Sequence, residues 1–253
     1  MSSAEKKVVW ITGASSGIGL ALTKKYLDEG CRVFASARRE GELAPLLASH
    51  DALVFVPFDI TDDSQVHDVR ATLLAHTKHV DCAILNAGTC EYLDLTETDP
   101  DWKMMNRIMS VNFSGLVNSV EVCLPLLKYS FRPHLVGVSS QAVQAAFPQA
   151  EAYGASKAAI RYFLSSLRMD LKPFSIDVTC ILPGFVDTPL TRKNTFPMPF
   201  LMSSDEAAKR MHRAIESRPY EFSFPKRLST LLWFGRHFPK LWMTMLTSKN
   251  ESN

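Results

Sequence analysis

Residues 8–22 read VVWITGASSGIGLAL. A short apolar run meets Gly13, Gly17 and Gly19, with Ser15 and Ser16 between them, and apolar positions then resume at helical spacing. A chain that places its most permissive residues between a strand and a helix is making room. Gly13 permits a tight turn, while Gly17 and Gly19 remove side chains where a ligand nears the helix and where the helix packs on the sheet. The first turn of that helix presents unpaired N–H groups and the positive end of its dipole. A pyrophosphate fits there, and the hydroxyls of Ser15 and Ser16 add donors.

Strand and helix signals alternate along the rest of the chain. KVVWIT, RVFASA, ALVFVPFDI, CAILNAG, HLVGVSS and IDVTCILPG read as strands, and YEFSF as a seventh. Between them GIGLALTKKYLDEG reads as a helix closed by Gly30, and GELAPLLASH as a short one. A helix runs from an N-cap at Thr61 to about His79, and a long one from Asp99 as N-cap and Pro100 as first residue to about Leu127. EAYGASKAAIRYFLSSLRMDL is strongly helical, and Ser203 with Glu206 makes a capping box for a helix through Ile215. This alternation, with continuous apolar strands, predicts an α/β fold: a doubly wound (Rossmann-type), mostly parallel sheet covered on both faces. The 253 residues form a single domain, with a core over about 7–226 and an apolar helical tail over about 227–253. Ligands of such sheets bind beyond the carboxyl ends of the strands.

Composition narrows the partners. The net charge of +2, without a basic cluster interleaved with aromatics, argues against nucleic acid. Five cysteines, at 31, 82, 90, 123 and 180, show no CxxC spacing, and the seven histidines no metal-ligand spacing, so no metal is expected. Reduced thiols, an N-terminus without a signal peptide and no uncharged apolar stretch of spanning length predict a cytoplasmic protein. His67, His76 and His79 fall on a polar helix face.

TGASSGIG has the spacing TGxxxGxG, and further motifs follow in order: NAG at 86–88, Asn112 in the long helix, Ser140 after the fifth strand, YGASK at 153–157 and PGFVDT at 183–188. In this the chain resembles the short-chain dehydrogenase/reductase family from about residue 7 to about residue 190. The residues support the chemistry that this resemblance implies. Tyr153 and Lys157 stand four apart on a helix and share a face. A phenol titrates near 10, and a nearby ammonium is expected to lower that value. The pair can then exchange a proton with a carbonyl-derived oxygen, to which Ser140 donates a hydrogen bond. The resemblance implies that Asn112 supports a proton relay from Lys157, and that Lys157 also binds the nicotinamide ribose.

The second strand ends in FASARREG, where a carboxylate would favour free ribose hydroxyls. Arg38 and Arg39 stand there instead, and a guanidinium fork suits a 2′-phosphate, so NADP(H) is the expected cofactor. Ser16 brings no second charge, and Glu40 lies beyond the strand end. By resemblance, Asp59 and Ile60 meet the adenine, and Asn86, Ala87 and Gly88 the adenine ribose side. Ile18 lies in the phosphate turn, and Pro183, Gly184, Val186 and Thr188 form the segment that cups the nicotinamide.

PLTRKNTFPMPFLMSS, residues 189–204, resembles the family's mobile substrate lid, and VQAAFPQ at 143–149 is its opposite wall. VQAAFPQ offers no charged group to catch a carboxylate or phosphate, and the lid is rich in apolar side chains, so a hydrophobic carbonyl compound or secondary alcohol is the expected substrate. The family also implies a homodimer or homotetramer. The tail RLSTLLWFGRHFPKLWMTMLTSK departs from the common family ending. Its aromatic and basic residues suit either packing on protein or peripheral membrane contact, with Pro239 breaking the helix. The rival to an enzyme is an NADP(H)-binding sensor or scaffold; such a protein would carry a broken Ser–Tyr–Lys set, and here the set is intact.

Overall fold

The computed structural model describes residues 6–96, 98–194 and 196–247. Strand β1 (Val8–Thr12) is buried along its whole length. Successive side chains of a strand point to opposite faces. Val8 and Trp10 accordingly enter one core, and Val9 and Ile11 the other. A strand apolar at every position thus serves a sheet covered on both sides. The remaining strands are β2 (Arg32–Ala37), β3 (Leu53–Pro57), β4 (Cys82–Leu85), β5 (His134–Val138), β6 (Asp177–Pro183), the two-residue pair β7 (Val186–Asp187) and β8 (Met202–Ser203), and β9 (Glu221–Phe224).

Seven of them make one sheet in the order β3-β2-β1-β4-β5-β6-β9, and every pairing is parallel. Helices α3 (Val66–His76), α5 (Gly115–Leu127) and α6 (Glu151–Leu171) cover one face. Helices α1 (Gly17–Asp28) and α7 (Ser204–Ser217) cover the other. The chain winds outward from β1 to β3 and returns to start again at β4. That reversal opens a crevice between the ends of β1 and β4. Register makes the ends level: Thr12 pairs with Ser36 on one side and Leu85 on the other.

Several boundaries differ from the sequence reading. Asp62, not Thr61, caps the third helical segment, its side chain accepting from Ser64 N, and α3 ends at His76. His79 therefore lies beyond the helix, half-buried, with Nε2 3.5 Å from Asp81 Oδ2. The long helix starts as α4 (Lys103–Met109) rather than at Pro100. Asp101, not Asp99, is held there, by Arg107 at 2.7 Å. Ser203 caps α7 as expected, its hydroxyl accepting from Glu206 N at 3.2 Å, but the reciprocal half of the box is not made: Glu206 Oε1 accepts from Arg210 Nε at 2.8 Å instead. The run Lys103–Leu127 is long and apolar enough to cross a membrane by composition, yet half of it is buried in this fold. Its apolar face is core.

The tail forms two helices, α8 (Lys226–His237) and α9 (Pro239–Thr247). Pro239 begins the second rather than bending the first, a position where its missing N–H costs nothing.

Candidate active site

The glycine turn is built as its spacing requires. Gly13 and Gly17 have φ of +66° and +53°, which only glycine adopts without strain. A Cβ on Gly13 would meet Ala87 Cα at 2.7 Å, so the turn lies directly against the end of β4. A Cβ on Gly19 would meet Gly13 O at 2.1 Å, which keeps α1 close against the turn. Ser16 occupies the N-cap position of α1, but no side chain caps the helix and no acid stands in its first turn. Its leading N–H groups face the cleft uncompensated, which is what an anionic phosphate needs.

Two asparagines fix the strand ends. Asn86 Nδ2 donates to Thr12 O at 3.1 Å and Gly13 O at 3.3 Å, and its N–H to Thr12 Oγ1 at 3.1 Å. This ties β4 to β1 across the crevice. Asn112 sits in a π-helical stretch, Ser110–Ser114, that interrupts the long helix. It is fully buried. Its Oδ1 accepts from Thr89 N at 2.7 Å, and its Nδ2 donates to Thr89 O at 3.0 Å and Ser156 Oγ at 2.9 Å. Asn112 thus joins the segment after β4 to α6. It lies behind the cleft rather than in its lining.

Ser140, Tyr153 and Lys157 meet at the cleft floor. Ser140 Oγ accepts from Ala142 N at 3.1 Å, which leaves its own proton free to donate. Lys157 is 4% exposed and donates to Val138 O at 3.0 Å. Burial lowers its pKa to about 8. Burial also raises the Tyr153 phenol to about 12, opposed by a hydrogen bond from Ser140. The expected lowering of that phenol by the ammonium is therefore not found in the protein alone. Desolvation dominates, and both groups are driven toward their neutral forms.

One cleft of about 1270 Å³ connects these groups to the glycine turn. Gly13, Ser15, Ser16, Gly17 and Ile18 line it, as do Arg38, Arg39, Asp59, Ile60, Asn86, Ala87, Gly88, Pro183, Gly184, Val186 and Thr188. Gly19 does not; it packs beneath. Arg38 and Arg39 are exposed, and neither makes an ion pair among the described residues. Asp59 Oδ1 accepts from Thr61 N and Oγ1 at 3.0 and 2.7 Å. Ile60 packs on Gly115, where a Cβ would sit 2.7 Å from its Cδ1. Thr188 lies against Gly17, and its N–H donates to Thr191 Oγ1 at 3.0 Å.

Beside the cleft, though not among its lining residues, stands a row of aromatic side chains: Phe196 and Phe147 belong to the two walls expected from the sequence, whereas Tyr92 and Phe185 were not singled out there. Tyr92 donates to Asn194 Oδ1 at 2.8 Å and meets Phe196 edge-on at 5.4 Å. Phe196 meets Phe185 at 6.2 Å, and Phe185 packs on the cluster around Trp242, which meets Phe147 at 5.7 Å. An aromatic wall thus runs from the lid to the tail. Val111, Val138 and Thr89 also line the cleft. The position of Val138 at the carboxyl end of β5 was a signal available in the sequence. Thr195, part of the expected lid, lies outside the described residues.

The uncapped helix, the cradle that a single Cβ would fill and the linked floor define a doubly wound protein with a dinucleotide-type cleft. Residues 7–197 match the short chain dehydrogenase family. An uncharacterized oxidoreductase of Myxococcus xanthus is 36% identical over 234 residues, covering 90% of this chain and 91% of its own. A benzil reductase ((S)-benzoin forming) of Saccharomyces cerevisiae is 36% identical over 194 residues, 74% of each chain. A short chain dehydrogenase from Burkholderia cenocepacia in complex with NADP superposes with a TM-score of 0.82 at 26% identity, covering 96% of this chain and 98% of that one. A Burkholderia phymatum relative in complex with NAD, at 22% identity and the same TM-score, has the same fold; the coverage is 96% and 97%. The chain belongs to the short chain dehydrogenase family and is an oxidoreductase.

Proposed function

We propose that this protein is an NADP(H)-dependent reductase of apolar carbonyl compounds. The observation that carries the reading is the continuity of one cleft, from Arg38 and Arg39 past the glycine turn to Ser140, Tyr153 and Lys157. The residues present fit the dinucleotide: N–H groups of α1 for pyrophosphate, the arginines for a 2′-phosphate and Asp59 for an amino group. When bound, the nicotinamide coenzyme supplies or accepts the hydride. The chain's own task is the proton and the orientation. Ser140 donates to the substrate oxygen while Tyr153 gives that oxygen its proton. A neutral phenol, as burial favours, is the form that donates, which suits reduction. Lys157 is positioned to hold ribose hydroxyls, and Asn112 keeps the segment behind them in place.

The aromatic row of Tyr92, Phe196, Phe185 and Phe147, which adjoins the cleft-lining residues Gly184, Val186 and Thr191, supports an apolar, preferably aryl-bearing, substrate. The yeast benzil reductase favours the same class. The experiment is coenzyme oxidation, with NADPH beside NADH, against a panel running from benzil and aryl ketones to short polar aldehydes. Aryl ketones turned over with NADPH are the expected result. Tyr153→Phe should retain coenzyme binding while turnover falls roughly 10²–10⁴-fold. Equal rates in Tyr153→Phe, or activity confined to small polar carbonyls, would overturn the proposal.

A further inference from the structure

The tail is half core and half surface. On its inner side Leu228, Leu232 and Trp242 are buried, and Trp242 Nε1 donates to Ala146 O at 2.7 Å. Gly235 lets the two helices close: a Cβ there would lie 2.7 Å from the Trp242 ring. The hairpin is therefore a fixed part of the domain, seated beside the wall at 143–149.

Its outer side is not finished as protein surface. Trp233, Phe238, Leu241 and Met243 are 56, 50, 49 and 61% exposed. The Trp233 ring stacks only on exposed His237, at 4.2 Å, and reaches no other ring among the described residues. Lys226, Arg227, Arg236 and Lys240 are exposed on the same two helices, and no Asp or Glu occurs from residue 222 to 250. None of the four cations makes an ion pair among the described residues. For a chain of net charge +2, this is a concentration of positive charge on one apolar face.

We propose that the outer face of the α8–α9 hairpin docks on an anionic phospholipid bilayer. Interfacial binding needs an apolar face that enters the acyl boundary and cations that meet the headgroups, and Trp is the ring best suited to that depth. Charge decides against the competing occupant. A self-complementary contact between two copies would press like-charged faces together, with no acid in the segment to pair them. Docked this way, the hairpin's inner side still forms part of the aromatic wall, so the membrane lies next to the substrate side of the cleft. The docking itself does not rest on the hydride-transfer reading.

The test uses the full chain and vesicles of phosphatidylcholine alone or mixed with phosphatidylserine. Cosedimentation with the mixed vesicles only, weakened by high salt, is expected, with a blue shift of tryptophan emission that Trp233→Phe diminishes. R236E/K240E should lower partitioning at least about tenfold, with coenzyme binding retained as the check of folding. Absence of binding to the anionic vesicles, equal binding to neutral ones, or partitioning indifferent to salt and to R236E/K240E overturns the proposal. So does a dimer by sedimentation equilibrium that L241S/M243S dissociates. Since the readout is binding, failure of every carbonyl substrate would leave it untouched.

Discussion

Lys157 Nζ stands 5.8 Å from the centre of the Tyr153 ring and donates to the Val138 carbonyl at 3.0 Å. The ammonium is thus engaged by the backbone of β5, not by the phenol. Lys157 is buried and Tyr153 half-buried, and the loss of water opposes charge on each. The site thus presents a neutral phenol beside a lysine that gives up its proton at about pH 8.

That poise predicts a pH-dependent stability. Lys157 titrates at about 8 in the fold against 10.5 when free. Between these values the unfolded chain binds more protons, so Lys157 makes stability rise with pH across that window and exerts its full penalty below it. Lys157→Met removes the ionisation but leaves the Val138 carbonyl without its donor, a cost of about 1 kcal/mol. Stability of the parent relative to this variant should therefore increase from pH 7 to pH 10. Tyr153 acts in the opposite sense, its contribution fading above pH 10, but it is common to both proteins and cancels. Urea midpoints at several pH values check this; a constant difference would contradict it.

Arg38 and Arg39 lie exposed at the glycine-turn end of the cleft and make no ion pair among the described residues. R38A/R39A is expected to raise the KM for NADPH by roughly 10–100-fold, the worth of one or two charge-assisted hydrogen bonds. The KM for NADH should stay within about twofold, since no 2′-phosphate is there to lose contacts. Initial rates with both coenzymes measure the contrast.

Asn112 makes three hydrogen bonds in a fully buried setting. Asn112→Ala would orphan Thr89 N, Thr89 O and Ser156 Oγ, although Ser156 still donates to Tyr153 O at 2.8 Å. A loss of about 3 kcal/mol is expected, since each orphaned buried group costs roughly 1–3 kcal/mol and water can enter the gap. Calorimetry should show a clear fall in Tm, and turnover should fall with it as residues 86–89 loosen. An unchanged Tm would mean that the asparagine bonds are dispensable.

Much of this architecture could be read from residues alone. The strand set was legible because each central strand is apolar on both faces, as β1 shows by feeding two cores. Much of the cleft lining was legible because residues 86–88, Ser140 and 183–188 follow strand ends, while Tyr153 and Lys157 on α6 were legible from their four-residue spacing. What stayed hidden depends on distant contacts. Asp99 and Pro100 carry valid helix-start chemistry, yet the helix begins later, with Arg107 holding both Asp101 and Glu91. Trp233 and Trp242 look alike in a basic, aromatic tail. Only Ala146, 96 residues away from Trp242, decides which one turns inward. The raised phenol of Tyr153 was hidden for the same reason, because burial is a property of the whole fold.

Gly17 and Gly19 should fail differently. Gly19→Ala places a Cβ 2.1 Å from Gly13 O, a clash that only separation of α1 from the turn relieves. Gly17→Ala meets Thr188 Cγ2 at 3.0 Å and strains a φ of +53°, a cost of about 1–2 kcal/mol. The Gly19 variant is expected to lose several kcal/mol of stability or not to fold, by analogy with other overpacked interiors (~1–3 kcal/mol or more). The Gly17 variant should fold and bind coenzyme more weakly. Denaturation midpoints set beside coenzyme titrations separate the two.

Tyr92 adds one hydroxyl tie to the segment after β7, which is also held at Thr191, whose Oγ1 accepts from Thr188 N at 3.0 Å. Tyr92 donates to Asn194 Oδ1 at 2.8 Å, and its ring meets Phe196 at 5.4 Å. Tyr92→Phe keeps the ring contact and removes the hydrogen bond, a loss of about 1 kcal/mol, which is roughly a fivefold increase in the open population. Arg192 and Lys193 are exposed on this segment and offer trypsin a direct report of opening. Cleavage there should quicken by about fivefold in the variant when reclosing outpaces cutting. Unaltered cleavage would show that Phe196 and its aromatic neighbours hold the segment without the hydroxyl.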